Sequence, residues 1–539
     1  MKREFTLFLF LLLYCTYNYA QNVEDRFNSL EINKIVSEYS NVFDLSTPIK
    51  SFVTFKYLQA EGKQCLYRSV VSYRIRDFFP KTSIPDIEVT QEKKDALLNT
   101  VIKEIIIYND SVAGVITDSH SGTICIITIL TLEDGKWLQY GEDLGNDLSD
   151  ARKTFRDKTL KYYSDFVSVL KKLKTVSTDT TSFVTYLKNH GKTPEELILD
   201  ALTTHKIVVY GEIHKRKISW DLLKEVLRDP EFIKNTGTVF MELPSDKQDD
   251  LNDFFSSKKL DTEIILNILR NELIMGWDDR GMYEFLIKLW ERNRKLPKSK
   301  KISVVAVDIP KPFDSLNNKT ELDDFFANVL DRNEQMAKII SETIINKKDS
   351  RNSLFIVGAV HAYKSLVPGI ASAPLGKENE AKPSAVAQLV KIFSDTDVFT
   401  IFQHCAIISN DGSMHGKIRN GLFDTVFAIT GNSPIGFMLK NSPFGKEPFD
   451  GLREITFRKE TGSFEHNYDG YIFLEPLEKE QAAYLLYDIY SDKFIEELKR
   501  RAKMTNSSIE AWFGVEKATK EAIISKLKKD ENKKRWTNM

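Results

Sequence analysis

The stretch H-K-I-V-V-Y-G-E-I-H, residues 205–214, decides the fold. Its apolar centre, residues 207–210, predicts a buried strand that ends at Gly211. Glu212 and His214 follow directly beyond that end. Side chains alternate along an extended backbone, so a carboxylate and an imidazole two residues apart face the same side. The stretch therefore predicts a strand that delivers an acid and a base to one small volume.

Several later apolar runs also end at ionisable side chains, and helical patterns separate them. Glu242 follows 238–241, Asp308 follows 302–307, His361 follows 353–357 after a short spacer, and His404 follows 398–402. Two further apolar runs, 426–429 and 471–474, complete the set. Near-continuous apolar strands separated by helices indicate an α/β fold, a mostly parallel sheet with helices on both faces. Ligands bind such sheets beyond the carboxyl ends of the strands, so six side chains at that edge predict a site.

Some of these side chains also have a purely structural explanation. Glu242 and Asp308 are suited to capping the helix that follows each strand. His404, beside Cys405, fits a packed core pair, which is the interpretation we favour for it. The remaining histidines lie away from strand ends and are expected at the surface.

Residues 1–20 have the pattern of a cleaved secretory signal, with Lys2 and Arg3 ahead of a short apolar run. That run is too short to cross a bilayer, and no other stretch is long enough, so no membrane span is expected. Cys15 follows the bulky Tyr14, which fits a lipoprotein cleavage site poorly. The sequence therefore predicts a periplasmic or secreted protein without a lipid anchor.

Composition excludes several classes of protein. With 76 basic and 77 acidic residues, the chain shows no sign of a nucleic-acid partner. Cleavage would leave Cys65, Cys125 and Cys405, a sparse odd set that is neither a disulfide framework nor a thiolate metal site. The sequence contains no G-x-S-x-G, H-E-x-x-H, phosphate loop or G-x-G-x-x-G, which argues against serine hydrolases, common zincins and nucleotide enzymes.

A chain of 539 residues predicts two or three domains. Residues 22–145 predict an α+β domain, with leading helices and antiparallel strands at 102–108, 112–117, 124–132 and 136–140; it resembles the small NTF2-like cone fold. Residues 146–190 predict a helical linker. Residues 191–539 predict the α/β domain, with C-terminal helices at 479–502 and 506–528. The polar loop 374–382 is placed to gate the site.

The order of motifs resembles a known superfamily. Two G-x-x-H corners, Gly211-Glu-Ile-His214 and Gly358-Ala-Val-His361, flank the strand-end Glu242. This arrangement is similar to the superfamily of erythromycin esterase-like proteins, ChaN-like haem-binding lipoproteins and TIKI/TraB proteins. The segment Asp331-Arg-Asn-Glu-Gln-Met-Ala337 extends the likeness, with Asn333 where the esterase-like branch prefers Asp. The resemblance spans about residues 207–474 and leaves the first 180 residues uncovered.

The esterase-like branch implies a hydrolase in which water attacks an ester carbonyl without metal; together with the signal at residues 1–20, this predicts an exported enzyme that cleaves an ester or amide of a small molecule or peptide. His214 would be the general base, and Glu212 and Glu242 would orient it or share its proton. His361 would be a second acid/base or an oxyanion donor. Arg332 would be a positive group that holds either its helix or the substrate.

The other branches imply different chemistry at the same corners. The TIKI branch implies a divalent metal, Zn, Mn, Co or Fe, with His214, Glu242 and His361 as ligands. The ChaN-like branch implies haem or iron binding without turnover, and Tyr210 and Tyr363 lie close enough to the corners to be ligands. A non-catalytic scaffold is the remaining alternative.

Overall fold

A computed structural model describes residues 26–72, 86–118, 124–160, 169, 172–173, 175–369, 381–408, 415–452, 459–481 and 483–533. The chain divides into two compact units. The first is Met1–Thr175 together with the short segment Ile408–His415, and the second is the rest of the chain from Val176 onward. The signal predicted at residues 1–20 and most of the predicted gating loop lie outside the described residues.

The first unit is an α+β structure built on a five-stranded antiparallel sheet. Its strands lie in chain order: β1 (Phe27–Ile35), β2 (Val101–Tyr108), β3 (Val112–Asp118), β4 (Cys125–Glu133) and β5 (Lys136–Gly145). Its helices are α1 (Pro48–Ala60), α2 (Tyr67–Val70), α3 (Gln91–Leu98) and α4 (Leu148–Lys158). The sequence predicted β2 to β5. It wrongly predicted helix at β1, because most of that strand's side chains are exposed and no apolar alternation marks it.

The second unit is built on a seven-stranded sheet. Its order is β13 (Ile435–Met438), β14 (Gly470–Phe473), β10 (Val398–Gln403), β6 (Ile207–Glu212), β9 (Asn352–Gly358), β7 (Thr236–Pro244) and β8 (Ser303–Asp308). Neighbouring strands are parallel, except that β13 runs antiparallel to β14. The short strands β11 (Ile407–Ile408) and β12 (His415–Gly416) pair separately. The mostly parallel sheet confirms the predicted α/β class.

Helices cover both faces of this sheet. They are α5 (Thr181–His190), α6 (Pro194–Thr204), α7 (Lys217–Arg228), α8 (Pro230–Asn235), α9 (Gln248–Ser256), α10 (Thr262–Leu269), α11 (Arg280–Arg294), α12 (Lys319–Asn328), α13 (Arg332–Asn346), α14 (Ala385–Ile392), α15 (Leu422–Ile429), α16 (Pro443–Lys446), α17 (Phe464–Asn467), α18 (Asp492–Met504), α19 (Ile509–Phe513) and α20 (Lys520–Glu531). Val208 and Tyr210 pack into one hydrophobic cluster, and Ile207 and Val209 pack into the other. Strand β6 is therefore buried on both faces, which explains its unbroken apolar run.

Several predictions of secondary structure in the second unit were wrong. Residues 426–429 form the end of α15 rather than a strand, because a short apolar run does not distinguish the two. The sequence pattern of residues 322–345 predicts one continuous helix, but two helices form there, interrupted before Asp331, whose side chain caps α13. The helix predicted at 479–502 begins only at Asp492, with α18, and the region predicted as one helix at 506–528 contains two, α19 and most of α20.

Two further features follow from the described residues. None of their helices combines the length and the apolar composition that crossing a bilayer requires. No disulfide joins the described cysteines, of which Cys65 is exposed and Cys125 and Cys405 are buried.

Candidate functional site

Four adjacent parallel strands bring the predicted side chains to one edge of the sheet. Strands β6, β9, β7 and β8 are neighbours in that order. Glu212 lies at the end of β6, Glu242 near the end of β7 and Asp308 at the end of β8. His361 lies in a single 3-10 turn, Ala359–His361, directly after β9. Parallel strands end at the same edge of a sheet, so these four side chains, which are far apart in the sequence, meet there.

Glu212 and His214 form a hydrogen-bonded pair. The Oε1 atom of Glu212 contacts the Nδ1 atom of His214. The Glu212 side chain is 1% exposed, whereas the imidazole is 44% exposed. Burial opposes the charged imidazole, but the Glu212 carboxylate outweighs it and raises the pKa of His214 to about 9. The pair therefore presents a strongly basic imidazole from a buried anchor.

The corner that carries His214 is held by several contacts. Lys215 adopts a left-handed conformation at φ 63°, and its backbone N–H donates to Asp279 Oδ2 at 2.8 Å. The same carboxylate oxygen accepts the Trp220 indole N–H at 3.1 Å. Burial raises the pKa of Asp279 to about 6. The ring of Trp277 meets the His214 ring edge-on, with centroids 4.8 Å apart. These contacts fix the direction of the imidazole.

Glu242 joins the two G-x-x-H corners. Its Oε1 accepts Arg332 Nη2–H at 2.5 Å, and its Oε2 accepts the Gly358 backbone N–H at 2.7 Å. A Cβ atom at Gly358 would lie 3.0 Å from His214 Cε1 and 3.3 Å from Glu242 Oε2. Glycine at this position thus lets the imidazole and the carboxylate approach strand β9. Burial opposes ionisation, but His361, Arg332 and His214 together hold the pKa of Glu242 below its usual value.

His361 is buried on the other side of Glu242. Its Nδ1 lies 2.6 Å from Asn333 Oδ1, and its Nε2 lies 3.6 Å from Glu242 Oε1. Because the amide oxygen accepts, Nδ1 carries the hydrogen in this arrangement. Burial lowers the pKa of His361 to about 4, although Glu242 opposes that shift. His361 is therefore a neutral ring with Nε2 directed toward the carboxylate.

Arg332, the first residue of α13, is bound in a fork by Asp308. Its Nε–H donates to Asp308 Oδ1 and its Nη2–H to Asp308 Oδ2, both at 2.8 Å. Lys311 Nζ lies 2.8 Å from the same Oδ2 atom. Burial disfavours the charged guanidinium, but Asp308 and Glu242 raise the pKa of Arg332 above its ordinary value. Two cations thus compensate the buried Asp308.

The metal set expected from the TIKI resemblance can be compared with these contacts. Both Glu242 oxygens already accept N–H donors, and a guanidinium lies where a second cation would have to come close. Within the part of the chain that the structure describes, no group of three or more His, Cys, Asp or Glu side chains is arranged to hold a metal ion. The donors of His214, Glu242 and His361 therefore do not fit a bound metal.

The tyrosines expected as haem ligands are also engaged. Tyr210 is fully buried, and its hydroxyl contacts Ser219 Oγ at 3.1 Å. Tyr363 is 1% exposed and donates to the Val367 carbonyl at 2.8 Å. Both hydroxyls are therefore buried and hydrogen-bonded within the protein, whereas an axial haem ligand has to face the porphyrin.

His404 packs against aromatic rings of the core. It is fully buried, with Nδ1 2.8 Å from the Tyr471 hydroxyl and its ring 5.4 Å from that of Phe473. His404 is therefore a core residue, as its position beside Cys405 suggested.

The sequence analysis did not identify Asp279 and Lys311 as residues of the site, and it did not predict the contact between Asn333 and His361. Asp279 caps α11, and an acidic residue directly before an apolar-periodic helix is a recognisable N-cap pattern. Asn333 was noted only as a departure from the esterase-like pattern. Lys311 follows a strand end by three residues, and no sequence pattern pairs it with Asp308.

Comparisons with known proteins add the following. No family model and no curated protein matches the chain. Similar solved structures include a Bacillus cereus protein (11% identity, 55% of this chain, 98% of that chain, TM-score 0.35). Another is a mutant erythromycin esterase in its open conformation (10% identity, 52% of this chain, 92% of that chain, TM-score 0.35). A third is a succinoglycan biosynthesis protein (11% identity, 56% of this chain, 98% of that chain, TM-score 0.37). At these identities and TM-scores they assign no function.

Proposed function

We propose that the chain is a hydrolase that cleaves an ester or amide bond with water activated by His214, without a metal. The observation that carries the proposal is the Glu212–His214 pair, in which a buried carboxylate anchors a partly exposed imidazole. The same arrangement of carboxylate, imidazole and reacting group underlies acyl transfer in serine hydrolases, with water here in place of the serine hydroxyl.

The contacts give each side chain a role in the reaction. Glu212 binds Nδ1 of His214, which directs Nε2 toward Gly358 and Glu242. Nε2 takes a proton from water as the oxygen attacks the carbonyl carbon, and the imidazolium later gives that proton to the leaving group. Glu212 stabilises the imidazolium in between. A positioned base of this kind accelerates a reaction by roughly 10²–10⁴.

His361 fits the role of a fixed acceptor. Asn333 Oδ1 accepts its Nδ1–H, which leaves Nε2 as a hydrogen-bond acceptor 3.6 Å from Glu242 Oε1. A water that donates one hydrogen to His214 and the other to His361 has its lone pair directed at the substrate. We propose a small molecule or peptide as substrate, and export by the signal predicted at residues 1–20.

The test is turnover by the mature protein. We expect hydrolysis of at least one member of a panel of p-nitrophenyl esters and peptide p-nitroanilides, and the same rate after exhaustive dialysis against EDTA. His214→Ala should lose about 10²–10⁴ of that rate. The exposed His190→Ala is the matched control and should keep it. Full activity in His214→Ala, with native thermal unfolding, would refute the proposal.

A further inference from the structure

The guanidinium of Arg332 uses only part of its hydrogen-bonding capacity within the protein. Nε and Nη2 bind Asp308, and Nη2 also binds Glu242. Nη1 makes no hydrogen bond to any residue that the structure describes. The side chain is 24% exposed, whereas those of Asp308 and Glu242 are 0% and 2% exposed. A charged donor is thus left over at the site.

The direction of this remaining donor is fixed. Asp308 binds the side of the planar guanidinium formed by Nε and Nη2, so the group cannot rotate without breaking two bonds. The second Nη2–H points forward to Glu242 Oε1. In a planar guanidinium the forward Nη1–H runs parallel to that Nη2–H. An oxygen atom placed beside Glu242 Oε1 therefore meets Nη1.

We propose that Arg332 donates its Nη1–H to the carbonyl oxygen of the scissile bond. This inference rests on the proposed hydrolysis and names the group that receives the developing negative charge. As water oxygen bonds to the carbonyl carbon and His214 takes its proton, the C=O π pair moves onto oxygen, which Nη1–H binds. When the tetrahedral intermediate collapses, this electron pair re-forms the C=O double bond. The leaving group departs with its bonding electrons and takes the proton from His214. Arg332 stays charged throughout.

Preorganised donors aimed at such an oxygen stabilise a transition state strongly, and loss of one typically costs about 10²–10³ in kcat. Arg332 meets the structural condition, since buried carboxylates hold it before any substrate arrives. Its other role is to compensate Asp308 and Glu242, and removing it alone would leave buried carboxylates without that cation. The test has to separate these two roles.

The kinetic test compares Arg332→Gln, Asp308→Asn and the double variant Asp308→Asn/Arg332→Gln on an ester that the wild type hydrolyses. The double variant removes one charge of each sign, so we expect its thermal unfolding to return toward that of Asp308→Asn. We expect its kcat to stay about 10²–10³ below that of Asp308→Asn, with KM changing less. A kcat within a few-fold of Asp308→Asn would show a purely structural role and overturn the proposal.

A binding test keeps this inference apart from the proposed hydrolysis. Phenylphosphonate carries the tetrahedral anionic oxygens of the transition state and needs no turnover. By calorimetry we expect wild type to bind it, and the double variant to bind at least tenfold more weakly than Asp308→Asn. Arginine-dependent binding without hydrolysis of any substrate would defeat the proposed function and leave Arg332 only as a donor to an anionic oxygen at this site. Equal binding by Asp308→Asn and the double variant, or no binding by wild type, would overturn the donor role.

Discussion

At the scale of single residues, the two histidines differ in the partner of Nδ1. His214 is bonded to the carboxylate of Glu212, and His361 to the amide of Asn333. A carboxylate favours the imidazolium, whereas a neutral amide adds no such charge stabilisation to a buried ring. The pKa is accordingly raised to about 9 for His214 and lowered to about 4 for His361. Environments that separate two pKa values in this way typically divide acid and base roles.

The pKa of His214 gives the first prediction. Only the neutral ring accepts a proton, so kcat/KM should rise tenfold per pH unit below about pH 9 and level off above it. Glu212→Gln removes the charge that stabilises the imidazolium, which lowers the pKa of His214 and moves the rising limb to lower pH. A pH–rate profile measures the shift, and the exposed Glu225→Gln is the control. An unmoved limb in Glu212→Gln would contradict the pairing.

Asn333 gives a second prediction. Asn333→Asp places a carboxylate at Nδ1 of His361, 2.6 Å away in the present contact, and should raise the pKa of that ring. The chain has eight histidines, so ¹³Cε1 labelling resolves them by NMR, and His361→Gln assigns the signal. We expect the His361 signal to titrate at higher pH in Asn333→Asp than in wild type. The same titration midpoint in both proteins would show that the residue at position 333 does not determine the pKa of His361.

At the scale of elements, the edge strand β8 is protected by side-chain amides. Asn293 donates to the Ile302 carbonyl at 2.8 Å and accepts its N–H at 2.9 Å. Gln248 accepts the Ala306 N–H at 2.8 Å and donates to the Val304 carbonyl at 3.1 Å. These amides occupy the backbone groups that another strand would use. Unprotected edge strands pair with other chains, so the two amides act against aggregation.

The protected edge gives a third prediction. Asn293→Ala leaves backbone groups of Ile302 unpaired in a buried position, which should cost about 1–3 kcal/mol in the free energy of unfolding. Combined with Gln248→Ala, it should also increase self-association, measured by light scattering during concentration. Asn346→Ala, on the exposed face of α13, is the control. A double variant as stable and as monodisperse as that control would count against the protection.

Sequence predicted the central elements better than the edges. Strands β6, β7, β9 and β10 lie inside the sheet and have unbroken apolar runs because both of their faces are buried, and each predicted run lies within the observed strand. The antiparallel edge strand β13 has only two buried residues and was missed. The end of α12 was missed because apolar residues continue across 329–330, although Asp331 and Glu334 form a recognisable helix start.

At the scale of the whole molecule, the site depends on side chains from the ends of four strands, between Glu212 and His361 in the sequence, meeting at one edge of the sheet. The rule for parallel sheets placed Glu212, Glu242 and Asp308 at that edge from sequence alone. It could not tell which charges pair. The fork between Arg332 and Asp308 depends on how α13 packs across the strand ends, and no local pattern encodes that packing.

This long-range pairing gives a fourth prediction. Asp308→Ala removes the buried carboxylate that Arg332 and Lys311 share, and breaking a buried pair costs about 3–5 kcal/mol. Denaturant unfolding should show this loss. Asp221→Ala removes ion pairs with Lys217 and Lys224 in which the aspartate side chain is 38% exposed, and it should cost no more than about 1 kcal/mol. Equal losses in the two variants would mean that Asp308 is not the buried anchor of α13.

The most direct measurement is a kinetic double-mutant cycle of His214→Ala and His361→Ala on one hydrolysed ester. If both rings act on the same water beside Glu242, each variant should lose activity, and the double variant should be little slower than the worse single variant, because residues acting as a unit are non-additive. Losses that multiply, or full activity in either single variant, would contradict a single site built from the two corners.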